Sequence, residues 1–455
     1  MTSGALDQRR IALLGFGVEN RALGHFLLAR DIPFSVCDAH PPTEDVLAEW
    51  PQVQRWHTGP SYLDELSHYD LLFRTPGLSA LHPRLLQATA RGADVSSQMQ
   101  LFFSCCPSTL LGVTGTKGKG TTTTLLAALL GADPAQRVFV GGNIGQPPIA
   151  FLDQLGQGDL VLLELSSFQL QDLTQSPHLA LVLSVTQDHL DYHAHRDEYV
   201  DAKRNIARYQ QPADLLITHA DCPTARTFAD CSPARHWSFS SRAPVESGAW
   251  IADDRLCVRL PGQPSVEICH THALRLPGRH NAENACAAIA AAAALGVEPA
   301  SMQEPLADFR GLPHRLEYLG ERAGIAYYND SLGTTPDAAI AALRALERPV
   351  ALIAGGAGKG ADFAELGRAI AAAAMRGVLL LGEEALRLER ALAAAGYAGP
   401  LRHCTSMEEA VEWARMWTRD GDAVLLSPAC ASFDMFVDYR QRGECFREAS
   451  GFAAS

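Results

Sequence analysis

Three times along this 455-residue chain an apolar run ends in a glycine-rich turn and gives way to a helical pattern. The stretches are IALLGFGVENRALGHFLLARD from residue 11, LLGVTGTKGKGTTTTLLAALLG from residue 110 and VALIAGGAGKGADF from residue 350. Strand, tight turn and crossover helix form the repeating unit of parallel sheets, because parallel strands need a long connection and both sheet faces need cover. Other apolar runs continue the alternation: PFSVCDA, LVLLEL, LALVLSVT, ADLLITH, IAYYND, GVLLLGEE and DAVLLSPA. The chain is therefore predicted to be α/β, with doubly wound sheets. One hydrophobic core does not serve a chain of this length, so several domains are expected. Boundaries near residues 98 and 311 give domains 1–98, 99–311 and 312–455, each holding one glycine turn. Residues 231–277 alternate polar and apolar and read as a small β excursion, and the alanine-rich 281–296 reads as a helix.

Charge narrows the partners. The net charge is −13, whereas nucleic acid and anionic membranes both call for basic surface. A local basic pocket for phosphate is compatible with that total. Eleven cysteines without a CxxC pair read as reduced thiols in a cytoplasmic protein, not as a disulfide framework. The apolar run after MTSGALDQRR is too short for a secretion signal or a membrane span.

The first turn holds Gly15 and Gly17, but the third position of a dinucleotide fingerprint falls on Asn20. Asp38 ends the second run, where an acidic residue reads a ribose or base in such folds. A plain βα turn with a capping aspartate explains the same residues equally well. In the second turn the glycines expose backbone N–H groups, the next helix aims its own N–H groups at the same spot, and its dipole favours an anion there. Lys119 follows Gly118 as the lysine of a phosphate loop does. The strict GxxxxGK spacing fails, because Val113 stands five before Gly118.

The loop GVTGTKGKGTTTTLL resembles the GTNGKST loop of the Mur ligases, the ATP-dependent amide ligases of peptidoglycan precursor synthesis. Further stretches resemble that family in the same order: GGNIGQP (141–147), LLELSSFQL (162–170), SVTQDHLDYH (184–193), YVDAKRNI (199–206), GRHNAENACAA (278–288), GLPHRLEYLG (311–320), YNDSLGTTPDA (328–338), GGAGKGADF (355–363) and LLSPACASFDMFVDYRQRGECF (425–446). They cover essentially the whole chain and resemble the family's glutamate-adding MurD branch. The resemblance implies an N-terminal Rossmann-like UDP-binding domain, a central P-loop-type ATPase domain and a C-terminal Rossmann-like domain that takes glutamate. It implies ATP and Mg2+ as cofactors, UDP-N-acetylmuramoyl-L-alanine and glutamate as substrates, and a cytoplasmic monomer. ATP phosphorylates the substrate carboxylate, and the amine then displaces phosphate through a tetrahedral intermediate. Two anionic reactants meet in such a site, so cations must crowd it.

By that resemblance Gly115, Thr116, Lys117, Gly118, Lys119, Gly120 and Thr121 cradle ATP. Glu164, His189 and Lys203, the last as a carbamate, hold magnesium together with Thr121, and Lys119, Glu164, His189 and Lys203 form the catalytic set. Asn281 and Asn284 face adenine, Asn143 the phosphates, Arg315 an ATP phosphate and Asp330 the ribose. Gly15, Phe16, Gly17, Val18, Asp38, Thr75, Pro76 and Gly77 line a uridine-diphosphate site, which decides between the two readings of the first turn. His314, Thr334, Lys359, Ser427 and Phe436 take the glutamate. HLDYHAHRDEY lacks the second ligand cluster of a zinc site, and CHTH (269–272) reads as a half-exposed strand.

The chain departs from the family at three places: Gly120 replaces the usual serine, Leu332 a lysine and Ala357 an aspartate. Its TKGK and NDS…TTP patterns also occur in a subfamily that adds L-glutamate, and D-glutamate is favoured on family frequency. A folylpolyglutamate-synthase-like ligase shares the ATP loop but has no UDP domain. A degenerate, nonenzymatic homologue would suit Gly120 and Ala357, yet not the retained Lys119, Glu164, His189, Lys203 and Asp330.

Overall fold

The computed structural model describes residues 6–186, 196–276, 278–346, 348–358 and 361–453. Three sheets carry the fold. The first is fully parallel, with strands β1 (Ile11–Leu14), β2 (Phe34–Asp38), β3 (Trp56–Thr58), β4 (Leu71–Arg74) and β5 (Asp94–Ser96) in the order β3-β2-β1-β4-β5. The second holds β6 (Thr109–Thr114), β7 (Val138–Gly142), β8 (Leu160–Glu164), β9 (Leu179–Val182), β10 (Leu215–His219), β11 (Arg235–Ser240), β12 (Gly248–Ala252), β13 (Arg255–Arg259) and β14 (Val266–His270). Its order is β14-β13-β12-β11-β10-β9-β6-β8-β7, parallel from β7 through β12, with β13 antiparallel to β12. The third holds β15 (Glu317–Arg322), β16 (Ile325–Asn329), β17 (Val350–Gly355), β18 (Met375–Leu381), β19 (Leu401–His403) and β20 (Ala423–Leu426), ordered β15-β16-β20-β17-β18-β19 with only β15 antiparallel.

The apolar runs are the central strands. Every residue of β1, β9, β17 and β20 is buried, as expected where helices cover both faces. The predicted β excursion is β11 to β14, and the alanine-rich segment is the helix Arg279–Ala294. CHTH is corrected in part: the strand stops at His270, and Thr271–Ala273 forms a single 3-10 turn. The first two sheets belong to one compact unit, the chain up to Ile268 together with Asn284–Met302. The third sheet belongs to a second unit, Cys269–Glu283 with the chain from Gln303 on.

Helix starts differ in a way that matters for function. The helices Gln98–Cys105, Pro336–Ala345, Met407–Trp417 and Tyr439–Ala449 are capped by the side chains of Ser97, Thr335, Ser406 and Asp438. The helices after β1 and β6, Val18–Leu28 and Lys119–Leu130, start from Gly17 and Gly118 with no side-chain cap. No side chain caps their first N–H groups, the position in a helix where an anion is favoured.

Candidate active site

In the first sheet the strand order reverses beside β1, between β2 and β4, which is where ligands of open α/β sheets lie. Two turns meet there. Gly15 has φ +80, and a Cβ on it would come 2.6 Å from Thr75 Cγ2, so only glycine lets the Gly15–Gly17 and Thr75–Gly77 turns touch. Asp38 fixes the first turn, accepting from the Phe16 N–H at 2.7 Å and from the His40 N–H at 2.9 Å. Asn20 is buried, and its Nδ2 spans the carbonyls of Leu14, Gly15 and Phe73. The residue that breaks the dinucleotide fingerprint thus staples β1 to β4. Val18 is 73% exposed at the uncapped helix start, and Pro76 and Gly77 are not buried.

The second sheet turns at β6, flanked by β8 and β9. Gly118, in the left-handed region at φ +83, caps the helix Lys119–Leu130, and a Cβ on it would collide with Asn284 Oδ1. Lys119 Nζ donates to the carbonyls of Gly115 and Thr116, at 3.2 and 3.1 Å. Lys203, fully buried, donates to Gly115 O at 3.0 Å and Thr114 Oγ1 at 3.3 Å, with its ammonium 4.8 Å from the centre of the Tyr199 ring. Lys117 and Asn143 are exposed, and Thr121 is half-buried. Two cations thus sit on the carbonyl side of a loop whose helix offers its N–H groups uncapped.

Glu164 closes β8 beside this loop. Its Oε1 accepts from Asn143 Nδ2 at 2.8 Å, while Oε2 is buried without a hydrogen-bond partner. A buried carboxylate oxygen left open in this way suits a divalent cation. His189 lies outside the described residues, as does the whole of HLDYHAH. Asn284 faces the loop, and Asn281 stands one turn before it on the same helix. Burial pushes the Cys430 thiol up to about 12, so this cysteine offers no thiolate.

In the third sheet Asp330 follows β16. Its Oδ2 accepts from Ser427 Oγ at 2.6 Å and its Oδ1 from the Leu316 N–H at 3.0 Å. Burial raises its carboxyl to about 6, against the opposing pull of those two donors and of Arg315 and Arg442. His314 is buried with φ +63, and its Nδ1 lies 3.0 Å from Asn329 Nδ2; burial lowers its pKa. Arg315, next to it, is exposed, Thr334 is half-buried, and Phe436 packs on the apolar cluster of Tyr327 and Leu426. Lys359 lies outside the described residues.

The family model for the MurD-like N-terminal domain of Mur ligases matches residues 9–97, that for the Mur ligase middle domain 113–292, and that for the Mur ligase glutamate ligase domain 314–430. A UDP-N-acetylmuramoylalanine–D-glutamate ligase of Symbiobacterium thermophilum is 40% identical over 451 residues, covering 98% of each chain. The chain belongs to the Mur ligase family. A ligase of the same name from Acetivibrio thermocellus is 37% identical over 453 residues, 97% of this Mur ligase and 96% of that chain. Among solved structures, UDP-N-acetylmuramate–alanine ligase MurC from Thermotoga maritima shares the fold at 19% identity and a TM-score of 0.56, covering 97% of this chain and 99% of that one. MurF from the same organism, in complex with ADP, does so at 17% identity and 0.55, covering 99% and 98%.

Several polar residues of this Mur ligase escaped the sequence reading. Arg442 is buried and spends its guanidinium on Ser331 Oγ and on the carbonyls of Ser331, Cys430 and Ala431. Asn329, Glu317 and Arg447 form a second buried set around His314. In the other unit Arg74 pairs with Asp172 at 2.7 Å, and Gln169 Nε2 donates to Glu19 at 2.7 Å, tying the first sheet to the second. Arg442 lies within the quoted segment 425–446, but a lone arginine in a helical stretch gives no sign of burial.

Proposed function

We propose that this Mur ligase joins glutamate to UDP-N-acetylmuramoyl-L-alanine at the expense of ATP, as a magnesium-dependent monomer in the cytoplasm. D-glutamate is the amino acid in the names of the relatives at 34–40% identity, which favours it over L-glutamate. The observation that carries the reading is the uncapped phosphate loop with Lys119 and the open Glu164 oxygen beside it, in a chain similar from end to end to such ligases. We also keep the domain limits 1–98, 99–311 and 312–455 as part of this reading. Among the described residues no helix is long and apolar enough to cross a membrane.

The chain's own groups divide the work. The N–H groups at the start of Lys119–Leu130 take phosphate oxygens, and Lys119 leaves the loop carbonyls to neutralise them. Magnesium, when bound, offsets the charge of ATP and polarises the transferred phosphoryl group. Glu164 offers its open oxygen to the cation, and Asn143 fixes the other. His189, Thr121 and a carbamylated Lys203 complete the ligand set. Asn281 and Asn284 take the base and Arg315 a phosphate. Gly15–Val18, Asp38 and Thr75–Gly77 hold the uridine diphosphate, with Asp38 acting through the Phe16 N–H that it orients. His314, Thr334, Lys359 and Ser427 take the glutamate, Phe436 walls the site, and Asp330 takes the ATP ribose.

Release of phosphate from ATP, measured with UDP-N-acetylmuramoyl-L-alanine and either D- or L-glutamate, tests the reading. Turnover with D-glutamate alone is expected. Turnover with L-glutamate alone moves the chain to the other subfamily, and none with either removes the proposal.

A further inference from the structure

A polar chain reaches the phosphate loop from the neighbouring strand ends of the same sheet. Ser184, just beyond β9, accepts from the Thr116 N–H through its carbonyl at 2.8 Å. Two residues on, the Thr186 N–H donates to Thr116 Oγ1 at 2.9 Å, and that hydroxyl also meets Tyr199 Oη at 3.0 Å. The loop is therefore hung on the turn after β9. That turn is itself held: Ser184 Oγ lies 2.8 Å from Nδ1 of His219, at the end of β10. The His219 ring is buried, stacks on Phe239 at 4.6 Å and 8°, and has its Nε2 3.5 Å from Asp221 Oδ2. Asp221 accepts from Ser240 Oγ at 2.9 Å and from the Ser241 N–H at 2.8 Å, at the end of β11. At this ion-pair distance the negative charge of Asp221 favours the tautomer protonated at Nε2, which leaves Nδ1 to accept from the Ser184 hydroxyl.

We propose that His219, oriented by Asp221, is a positioning residue for the phosphate loop. It touches neither nucleotide nor metal and acts through Ser184 on Thr116. Its effect falls on nucleotide geometry and on kcat, and leaves the affinity for the UDP substrate unchanged. This rests on the ATP-using reading of the loop. A misplacement of about 1 Å in such a loop costs up to about a hundredfold in rate.

The test uses the full chain and two readouts: steady-state ligation, and titration with a fluorescent ATP analogue. His219→Ala is expected to lower kcat about tenfold to a hundredfold and to weaken analogue binding, with KM for the UDP substrate unchanged. Ser184→Ala should give the same loss, and the double variant should be no worse than either single one. His219→Asn, whose amide can still bond Ser184, should recover most of the loss. If His219→Ala does not fold, as melting would show, Ser184→Ala and His219→Asn carry the test. Wild-type kcat and analogue binding in folded Ser184→Ala or His219→Ala protein would overturn the proposal, as would additive losses in the double variant. The analogue titration uses neither glutamate nor muramoyl substrate, so a wrong acceptor in the proposed reaction leaves this result readable.

Discussion

The end of β6 and the end of β16 are both turns at the carboxyl edge of a parallel sheet, and they treat buried charge in opposite ways. At β16 the charges of Asp330 and Arg442 are answered from within. Both oxygens of Asp330 have donors, and the Arg442 guanidinium is spent on one hydroxyl and three carbonyls. At β6 charge is left over: one Glu164 oxygen has no partner, and the helix start has no cap. Lys119 rests on loop carbonyls, a placement that holds the cation at the edge of the loop. Closed polar networks specify a fold, whereas open ones are expensive unless a ligand completes them. The β6 end thus leaves charge open for a ligand, while the β16 end pairs Asp330 and Arg442 within the protein.

Substitution should separate the two. Lys119→Ala is the largest expected effect on activity: loss of a charge-assisted contact in the transition state costs about 10²–10³-fold in rate, with little change in melting temperature. Ligation rate and thermal melting measured on one preparation check this. A variant that loses stability in proportion to activity would place Lys119 in the scaffold and break the contrast.

Asp330→Asn should show itself in stability against pH. The Asp330 carboxyl is raised by burial from 3.8 to about 6. Between those values the folded protein keeps a proton that the unfolded chain has released, so unfolding free energy falls as pH rises through the window. The shift corresponds to about 3 kcal/mol. Asparagine keeps the shape without the charge, so the wild type should lose about that much relative to the variant between pH 4 and 6.5. Denaturant unfolding across that range decides it, and parallel curves would mean that the Asp330 charge is not buried at a cost.

The same contrast explains what the sequence disclosed. The phosphate loop is local: apolar strand, glycines, Lys119 and helical pattern fall within one short run of chain. Gly15 and Asp38 were legible for the same reason, since strand ends fix where their turns lie. Arg442 answers Ser331 from 111 positions away, and Arg74 meets Asp172 from 98. No periodicity encodes such pairings; they exist only once the sheets have formed. Asn20 read as a failed fingerprint, because its function is to reach Phe73 O on a neighbouring strand.

Lys203 gives a smaller test of the open end. As an ammonium it is a buried cation on Gly115 O and Thr114 Oγ1; as a carbamate it would face a metal. If the carbamate forms, Lys203→Ala should regain part of its activity with a short carboxylic acid such as formate, and wild-type rate should depend on dissolved CO2. Full activity in the variant, indifferent to carboxylates, would leave Lys203 as a structural cation.

The smallest effect belongs to Gly120, where the family's serine is missing. Gly120 is the second residue of the helix Lys119–Leu130 and is not among the glycines with positive φ, so its backbone accepts a side chain. The hydroxyls of Thr122 and Thr123 are buried, while Thr121 is half-buried and stands next after Gly120. If Thr121 substitutes only in part, the cation is held by one oxygen fewer. Gly120→Ser should then lower the magnesium concentration for half-maximal rate about threefold to tenfold, the worth of one hydrogen-bond-scale contact. Thermal melting of both proteins serves as the folding control. Initial rates against magnesium at saturating ATP give the comparison. Superimposable curves from two folded proteins would mean that Thr121 or water already completes the site, and a wild type without ligation, rescued by serine, would mark the chain as a ligase whose phosphate loop has decayed.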